Sequence, residues 1–402
     1  MTMERLIFTY PWDVEREGVD HALDRIQGAG CTGLLLNASY HGGRFLHPRW
    51  TGGVFNQRGG ADVSFQPNLA VYDAEGAPHP AVGELAAAGV HQRVRRAAAA
   101  RGMRFGLWMV ALHNSTLGDR HPELVQRNVF GDRYRYGLCP AHPRVRAYAR
   151  ALLRDAIDQL QPDSVALESP TYLGAIHGEH HELILLNMDR VTEFLLGLCF
   201  CDSCRARAQE QGIDPAAVQA TVAAAVRFLL EEERGALDVA FRQQEVAAFL
   251  VEHPEVYAYV RARLATVKGL LEELHQIAQR AGVTLETTSS IFARPITRAW
   301  EEGTGLRETA QAVDSVSIVA YHQTPDEVRA DVRWFKLMCP DKPFTLALNA
   351  GHPNALSADD LAQKAAVAAQ EGARAVAYYN YGLLTHRRLE WVARANAVLK
   401  GL

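Results

Sequence analysis

Long apolar runs are missing from this 402-residue sequence. No segment approaches the ~18–20 uninterrupted apolar residues that cross a bilayer, so no membrane partner is expected. A basic excess is missing too: 42 Lys and Arg face 46 Asp and Glu, for a net charge of -4. That balance leaves no electrostatic footprint for nucleic acid. The opening stretch, Met1 to Tyr10, enters a strand-like pattern directly, without the regions of a secretory signal. Cysteine is scarce, six in all. Three are packed as C-x-C-x-x-C (Cys199, Cys201, Cys204), which is not an even disulfide framework for a chain this long. Thiolate ligation in a reducing cytoplasm is the expectation. There is no H-E-x-x-H pair, which argues against a metalloprotease. No Gly-rich phosphate turn follows the first strand, where the chain reads Tyr10-Pro-Trp-Asp13, and this argues against a doubly wound dinucleotide fold.

What is present is an ordinary globular composition, 48% hydrophobic and 22% charged, written in a repeating pattern of strand, polar loop and amphipathic helix. Short apolar runs mark eight strands: 6–10, 33–37, 105–111, 164–168, 283–290, 315–321, 344–349 and 375–381. Helical periods fall at 19–26, 81–101, 145–160 and 388–399. The pattern predicts one α/β domain over 1–402, a (β/α)₈ barrel. Two excursions interrupt it. The loop after the second strand, to about Pro80, is rich in Gly and Pro and too long for a mere connector. The fourth βα unit is swollen over 171–282 by the cysteine cluster and by Ala-rich helices from about Pro215 to Gly282. The charges on those helices, such as Glu231 to Arg234 and Arg242 to Glu245, read as a solvated face. The insertion is a candidate interface for a homo-oligomer, although its amphipathic pattern says only that it covers something.

In such barrels the active site is assembled at the C-terminal ends of the strands. Those ends carry Asp13, Asn37 with His41 and Arg44, His113 with Asn114, Glu168, Glu286, Tyr321 with His322, Asn349 with His352, and Tyr379 with Asn380. Amides and imidazoles exchange hydrogen bonds with hydroxyls, and aromatic faces stack on sugar C–H surfaces, so the ring suits a small-molecule carbohydrate. Each residue taken singly also fits a satisfied polar residue closing a strand. Ser164-Val-Ala-Leu-Glu168 and Gly282-Val-Thr-Leu-Glu286 place a Glu after Val-x-Leu on successive strands. At one height, two such carboxylates would approach the ~5–5.5 Å separation of retaining glycosidases. Glu168 is therefore read as acid/base or nucleophile with Glu286 as its partner. The segment His177-Gly-Glu-His-His181-Glu182 fits a substrate-facing lid, a metal site or a surface loop, with His177 counted among the substrate contacts. Cys199, Cys201 and Cys204 need a fourth ligand to close a tetrahedral structural zinc, and Cys139 in the preceding βα loop is the natural candidate. Cys31 and Cys339 read as core packing.

The order Cys139, Glu168, Cys199, Cys201, Cys204 resembles the family 42 β-galactosidases, barrel enzymes with a four-cysteine zinc site beside the active centre. The resemblance covers the third and fourth βα units and implies an acid/base role for Glu168. That family's nucleophile is a Glu at the end of strand seven, where this chain has Leu348-Asn349-Ala-Gly-His352 and no carboxylate. More broadly the sequence is similar to uncharacterised bacterial glycoside hydrolase-like barrels, and to amylase-like enzymes with carboxylates on strands four and five. The leading expectation is a cytoplasmic glycoside hydrolase with structural zinc. A histidine-based sugar isomerase, epimerase or lyase, with or without a divalent metal, stays open beside it. So does a carbohydrate-binding barrel without hydrolysis.

Overall fold

A computed structural model describes residues 3–177, 188–231, 239–290 and 294–401, the side chains of 239–243 excepted. His180, His181 and Glu182 lie outside the described residues. Eight parallel strands form the barrel: β1 (Glu4–Thr9), β2 (Gly33–Tyr40), β3 (Arg104–Val110), β4 (Ser164–Glu168), β5 (Thr284–Thr288), β6 (Ser315–Val319), β7 (Phe344–Asn349) and β8 (Ala375–Tyr379). Each pairs with its sequence neighbours, and β1 pairs with both β8 and β2, which closes the sheet. The strands read as apolar runs because both faces are covered, by helices outside and by the packed lumen inside. The outer layer gathers Leu34, Leu36, Phe105, Leu107, Val165 and Leu285 against the helices. The lumen holds Leu6, Phe8, Leu35, Trp108, Val110, Ala166, Ala347 and Ala377. Small alanines on β4, β7 and β8 share the lumen with the bulky Trp108 indole, as close packing requires.

Local signals set the helix ends. Thr324 and Glu327 form a reciprocal capping box before Pro325–Met338, and Ser357 and Thr385 cap Ala358–Gln370 and His386–Lys400. Among the described residues, no helix is long and apolar enough to cross a membrane.

Two expectations need correction. Residues 81–89 do not continue the α-helix before β3: they hold a 3₁₀ turn, Ala86–Ala88, and the α-helix is Val90–Ala100, because a left-handed Gly89 opens it. The long second loop is, as expected, more than a connector. β2 continues through a register shift between Asn37 and Ser39, and a short strand Asp62–Val63 pairs antiparallel with its end. A hairpin of Gly43–Leu46 with Phe55–Arg58 and a helix Leu69–Glu75 fill the rest. The bulge carries Tyr40 and His41 over the barrel mouth, the kind of re-aiming bulges perform. The other correction concerns Glu286. The register sets it beside Ala166, not Glu168, so it stands two residues deeper in the lumen, about 6.6 Å lower along the strands. The two glutamates do not share a height.

Candidate active site

Glu168 is the last residue of β4 and points into the lumen above Ala166. Its Oε2 accepts a 2.7 Å hydrogen bond from Trp108 Nε1. Around it lie the rings of Tyr40, Tyr321 and Tyr379, whose hydroxyls feel its charge. The hydroxyls of Tyr10, Tyr40 and Tyr379 form a triangle with sides of 3.0, 3.1 and 3.2 Å. Trp108 meets Phe8 and Tyr379 edge to face at 5.3 and 5.7 Å, and the Tyr40 ring lies 4.9 Å away. In this aromatic chamber desolvation pushes the Glu168 carboxyl up to about 7, against the Trp108 hydrogen bond, with the charge of Glu302 adding to the rise. Glu168, Tyr321 and Tyr379 are each partly exposed. Just beyond it, Ser169 holds a left-handed backbone (φ 54°), a strained conformation for a side-chain-bearing residue.

A cavity of about 560 Å³ opens at the barrel mouth next to this chamber. His41, His113 and His177 line one side; Arg190, Arg298, Glu301 and Glu302 line the other. Glu168 is not itself on the cavity wall. It is joined to it through His41, which stacks on Tyr40 at 4.2 Å, and through Glu302. The three imidazoles touch. His41 stacks on His113 at 4.2 Å, and His177 Nε2 lies 3.1 Å from His113 Nδ1. Burial lowers the pKa of all three, that of His177 to about 3, so they are neutral and able both to donate and to accept. On the opposite wall Arg190 is paired with Glu193 and Glu301, and Arg298 with Glu301.

The structure therefore brings together Glu168, His41, His113, His177, Tyr321 and Tyr379 from the expected ring. The others do different work. Asp13 is fully buried, accepting from His47 Nδ1 and Trp50 Nε1, and burial raises its pKa against the pull of His47. It lies under Gly382, where an added Cβ would meet its Oδ2 at 1.7 Å, so the site demands glycine there. Asn37 donates to the carbonyls of Ser39 and Trp108. Arg44 is exposed on the hairpin over Phe55. Asn114 caps Ser115–Arg120 and donates to Tyr148 Oη. His322 is held by Asp331 at 2.6 Å. Asn349 orders its own loop through Asn354 and Gly351, and Asn380 is buried, accepting from Gly382 N. Glu286 accepts from Ser315 Oγ at 2.9 Å and Thr345 Oγ1 at 2.5 Å, with Arg374 at 3.9 Å.

Trp108, Tyr10, Tyr40 and Glu302 were not singled out from sequence. Trp108 shares the inward parity of Val110, a readable signal; Glu302, in the loop after β5, has no local motif.

Beside the chamber, the thiols of Cys139, Cys199, Cys201 and Cys204 all lie within 4.8 Å of one another and are buried. Cys139 Sγ is 3.4 Å from Cys201 and Cys204 and 3.9 Å from Cys199. A disulfide needs about 2.05 Å. A tetrahedron of thiolates at about 2.3 Å from one ion has edges near 3.8 Å, which these spacings approach. The donor set fits a thiolate-bound metal ion. Arg127 N–H donates to Cys199 Sγ at 3.4 Å, and Tyr172 Oη lies 3.4 Å from Cys204 Sγ. Such outer contacts steady ligands. Cys31 and Cys339 are buried elsewhere in the core.

The fold is shared with solved glycoside hydrolase barrels. The glycoside hydrolase domain of PgaB (BpsB) from Bordetella bronchiseptica superposes with a TM-score of 0.60 at 13% identity, covering 97% of this chain and 98% of that one. The catalytic domain of a β-amylase from Paenibacillus polymyxa gives 0.54 at 8% identity, over 97% and 95%. A β-galactosidase from Bacillus circulans sp. alkalophilus gives 0.54 at 13% identity, over all of this chain and 56% of that one. No family model and no curated protein matches the sequence. At these identities the likeness establishes architecture.

Proposed function

We propose that this protein is a glycoside hydrolase in which Glu168 is the general acid and Glu302 the second carboxylate. The observation that carries this is Glu168 itself: a carboxyl at the end of β4, in an aromatic chamber, with its pKa raised to about 7. A carboxylic acid held protonated near neutral pH is what departure of a glycosidic oxygen requires. The faces of Tyr321 and Tyr379 supply stacking surface for a sugar ring, and the neutral imidazoles of His41, His113 and His177 exchange hydrogen bonds with its hydroxyls. Glu302 lines the cavity and its charge reaches Glu168. The solved neighbours, named as an amylase, a galactosidase and a PgaB glycoside hydrolase domain, agree with the class.

The test is a screen of aryl glycosides with wild type, Glu168→Gln and Glu302→Gln. Turnover by wild type that collapses in both variants supports the assignment; full activity in Glu168→Gln overturns it. NMR of the first-formed product distinguishes Glu302 as nucleophile (anomer retained) from Glu302 as the base for water (anomer inverted).

The metal proposed at the four cysteines is zinc in a structural role: the ligands are four thiolates with no open position. Elemental analysis should find one zinc per chain, and turnover should survive mild chelation. Thiolate ligation also supports placement in a reducing, cytoplasmic setting. The histidine-based isomerase or lyase is weaker. The rings of His41 and His113 are stacked, which aims their nitrogens side by side rather than at one point. Among the described residues, only the four cysteines are spaced for an ion.

A further inference from the structure

A second cavity lies back to back with the first. The 3₁₀ helix Ile296–Glu302, in the loop after β5, is their common wall. Arg298, Glu301 and Glu302 face the catalytic cavity, while Thr297 and Trp300 face a groove of about 600 Å³ on the outside of the barrel. The helices Pro254–Arg280 and Pro325–Met338 form its other sides and contribute Tyr257 and Trp334. Tyr257 is 51% exposed and Trp334 40% exposed. An ion pair between Arg261 and Glu308, 2.7 Å long, sits on the rim, with its Arg side chain half exposed.

The chemistry of this groove is not that of a protein-docking stripe. Most of its aliphatic residues, Leu250, Val260, Leu264 and Ile296, are buried beneath it, with Leu306 and Met338 partly exposed at its side. The rest of the surface it offers is aromatic rings together with a guanidinium, a carboxylate and a hydroxyl. A sugar has the matching pair of surfaces, an apolar C–H face for the rings and an edge of hydroxyls for the charged groups. The wall also links the groove to the active centre. Trp300 packs edge to face on Phe194 at 5.1 Å, and Phe194 lines the catalytic cavity.

We propose that this groove is a second carbohydrate site that holds a distal part of the same oligosaccharide chain cleaved at Glu168. The proposal rests on the hydrolase reading and sharpens it: the substrate is an oligomer or polymer, not a small glycoside alone. Occupancy of the groove raises affinity for long chains by tethering, without adding to the chemical step.

The experiment uses the full chain carrying Glu168→Gln, which binds without cleaving, titrated calorimetrically with cellopentaose, maltopentaose and chitopentaose. The same titrations follow with Tyr257→Ala and Trp334→Ala added. In parallel, the active enzyme and its Tyr257→Ala/Trp334→Ala variant are assayed on the matching polymer and on the best aryl glycoside. The expected result is at least a tenfold loss of pentasaccharide affinity and a comparable rise in KM for polymer. Aryl glycoside kcat/KM should stay within twofold, which also shows that the variant is folded. Unchanged pentasaccharide binding and polymer KM, with aryl glycoside turnover intact, overturns the groove and leaves the hydrolase standing. Wild type that neither cleaves aryl glycosides nor binds any of the three sugars overturns both.

Discussion

Glu168 and Glu286 occupy nearly the same sentence of sequence, Val-Ala-Leu-Glu and Val-Thr-Leu-Glu, on adjacent strands of one barrel. Their surroundings differ because the register between β4 and β5 lowers one of them by a layer. Glu286 is surrounded by groups that want a carboxylate: two hydroxyls and a guanidinium. Glu168 has one indole N–H and a ring of aromatic side chains. One carboxylate is matched with its environment and knits three strands together; the other is held where ionisation is costly. On the proposed reading, function resides in the mismatch, a common signature of active sites.

The comparison can be broken most decisively at the upper residue. Glu168→Gln should lower kcat by about 10²–10⁴-fold on substrates with poor leaving groups, the usual contribution of a general acid, with secondary structure by circular dichroism unchanged. Equal activity in the two proteins would remove the distinction. The lower residue should show the opposite profile. Glu286→Ala should cost about 2–4 kcal/mol in denaturant unfolding, since it strands the Ser315 and Thr345 hydroxyls without their acceptor and removes the carboxylate facing Arg374. Activity per folded molecule should remain within about threefold.

A pH series sharpens the contrast. The folded carboxyl of Glu168 lies near 7, above its ordinary value of 4.5, so the native state binds the extra proton between those limits. Its contribution to stability is complete below about 4.5 and is lost as pH rises through 7, a loss on the order of 3 kcal/mol at most. Glu168→Gln should therefore melt higher than wild type at pH 8, with the gap closing by pH 5. Wild-type kcat/KM should fall as pH rises through 7, where Glu168 loses its proton, and on the acid side should fall only where the second carboxylate is protonated; an alkaline limb well above 8 would refute the assignment. The smallest effect is expected from Trp108→Phe. Loss of its hydrogen bond should move that limb up by up to about one pH unit while leaving the rest of the profile in place. A uniform fall in rate with no shift would instead mark Trp108 as mere packing.

How far these features were legible follows from their physics. Strands covered on both faces announce themselves as apolar runs, so β4 and β7 fall at their expected residues and the others within a few. The C-x-C-x-x-C spacing and the partner Cys139 were readable because ligation forces residue type and distance together. Glu168 was readable as a charge ending an apolar strand. Its supposed partner was misplaced because register is set by pairing across strands, which no local motif records. Glu302 was overlooked for a related reason: its place depends on how the loop after β5 folds back over the mouth. Asp13, Asn37, Asn114 and His322 carry site-like chemistry in sequence, yet each is bound to a backbone group or a neighbouring side chain.

The cysteine cluster sits close to working parts. Phe194 and Gly197, on the wall of the cavity at the barrel mouth, precede Cys199 by five and two residues, and Cys139 ends the loop from β3. A metal ion held by these thiolates would rivet the two segments together, and the pocket wall would borrow rigidity from sulfur chemistry instead of from a large apolar interface. On the proposed reading, the same economy would make the protein answerable to oxidants: a peroxide that pulled one thiol out of the cluster would loosen the wall without ever touching the carboxyl of Glu168.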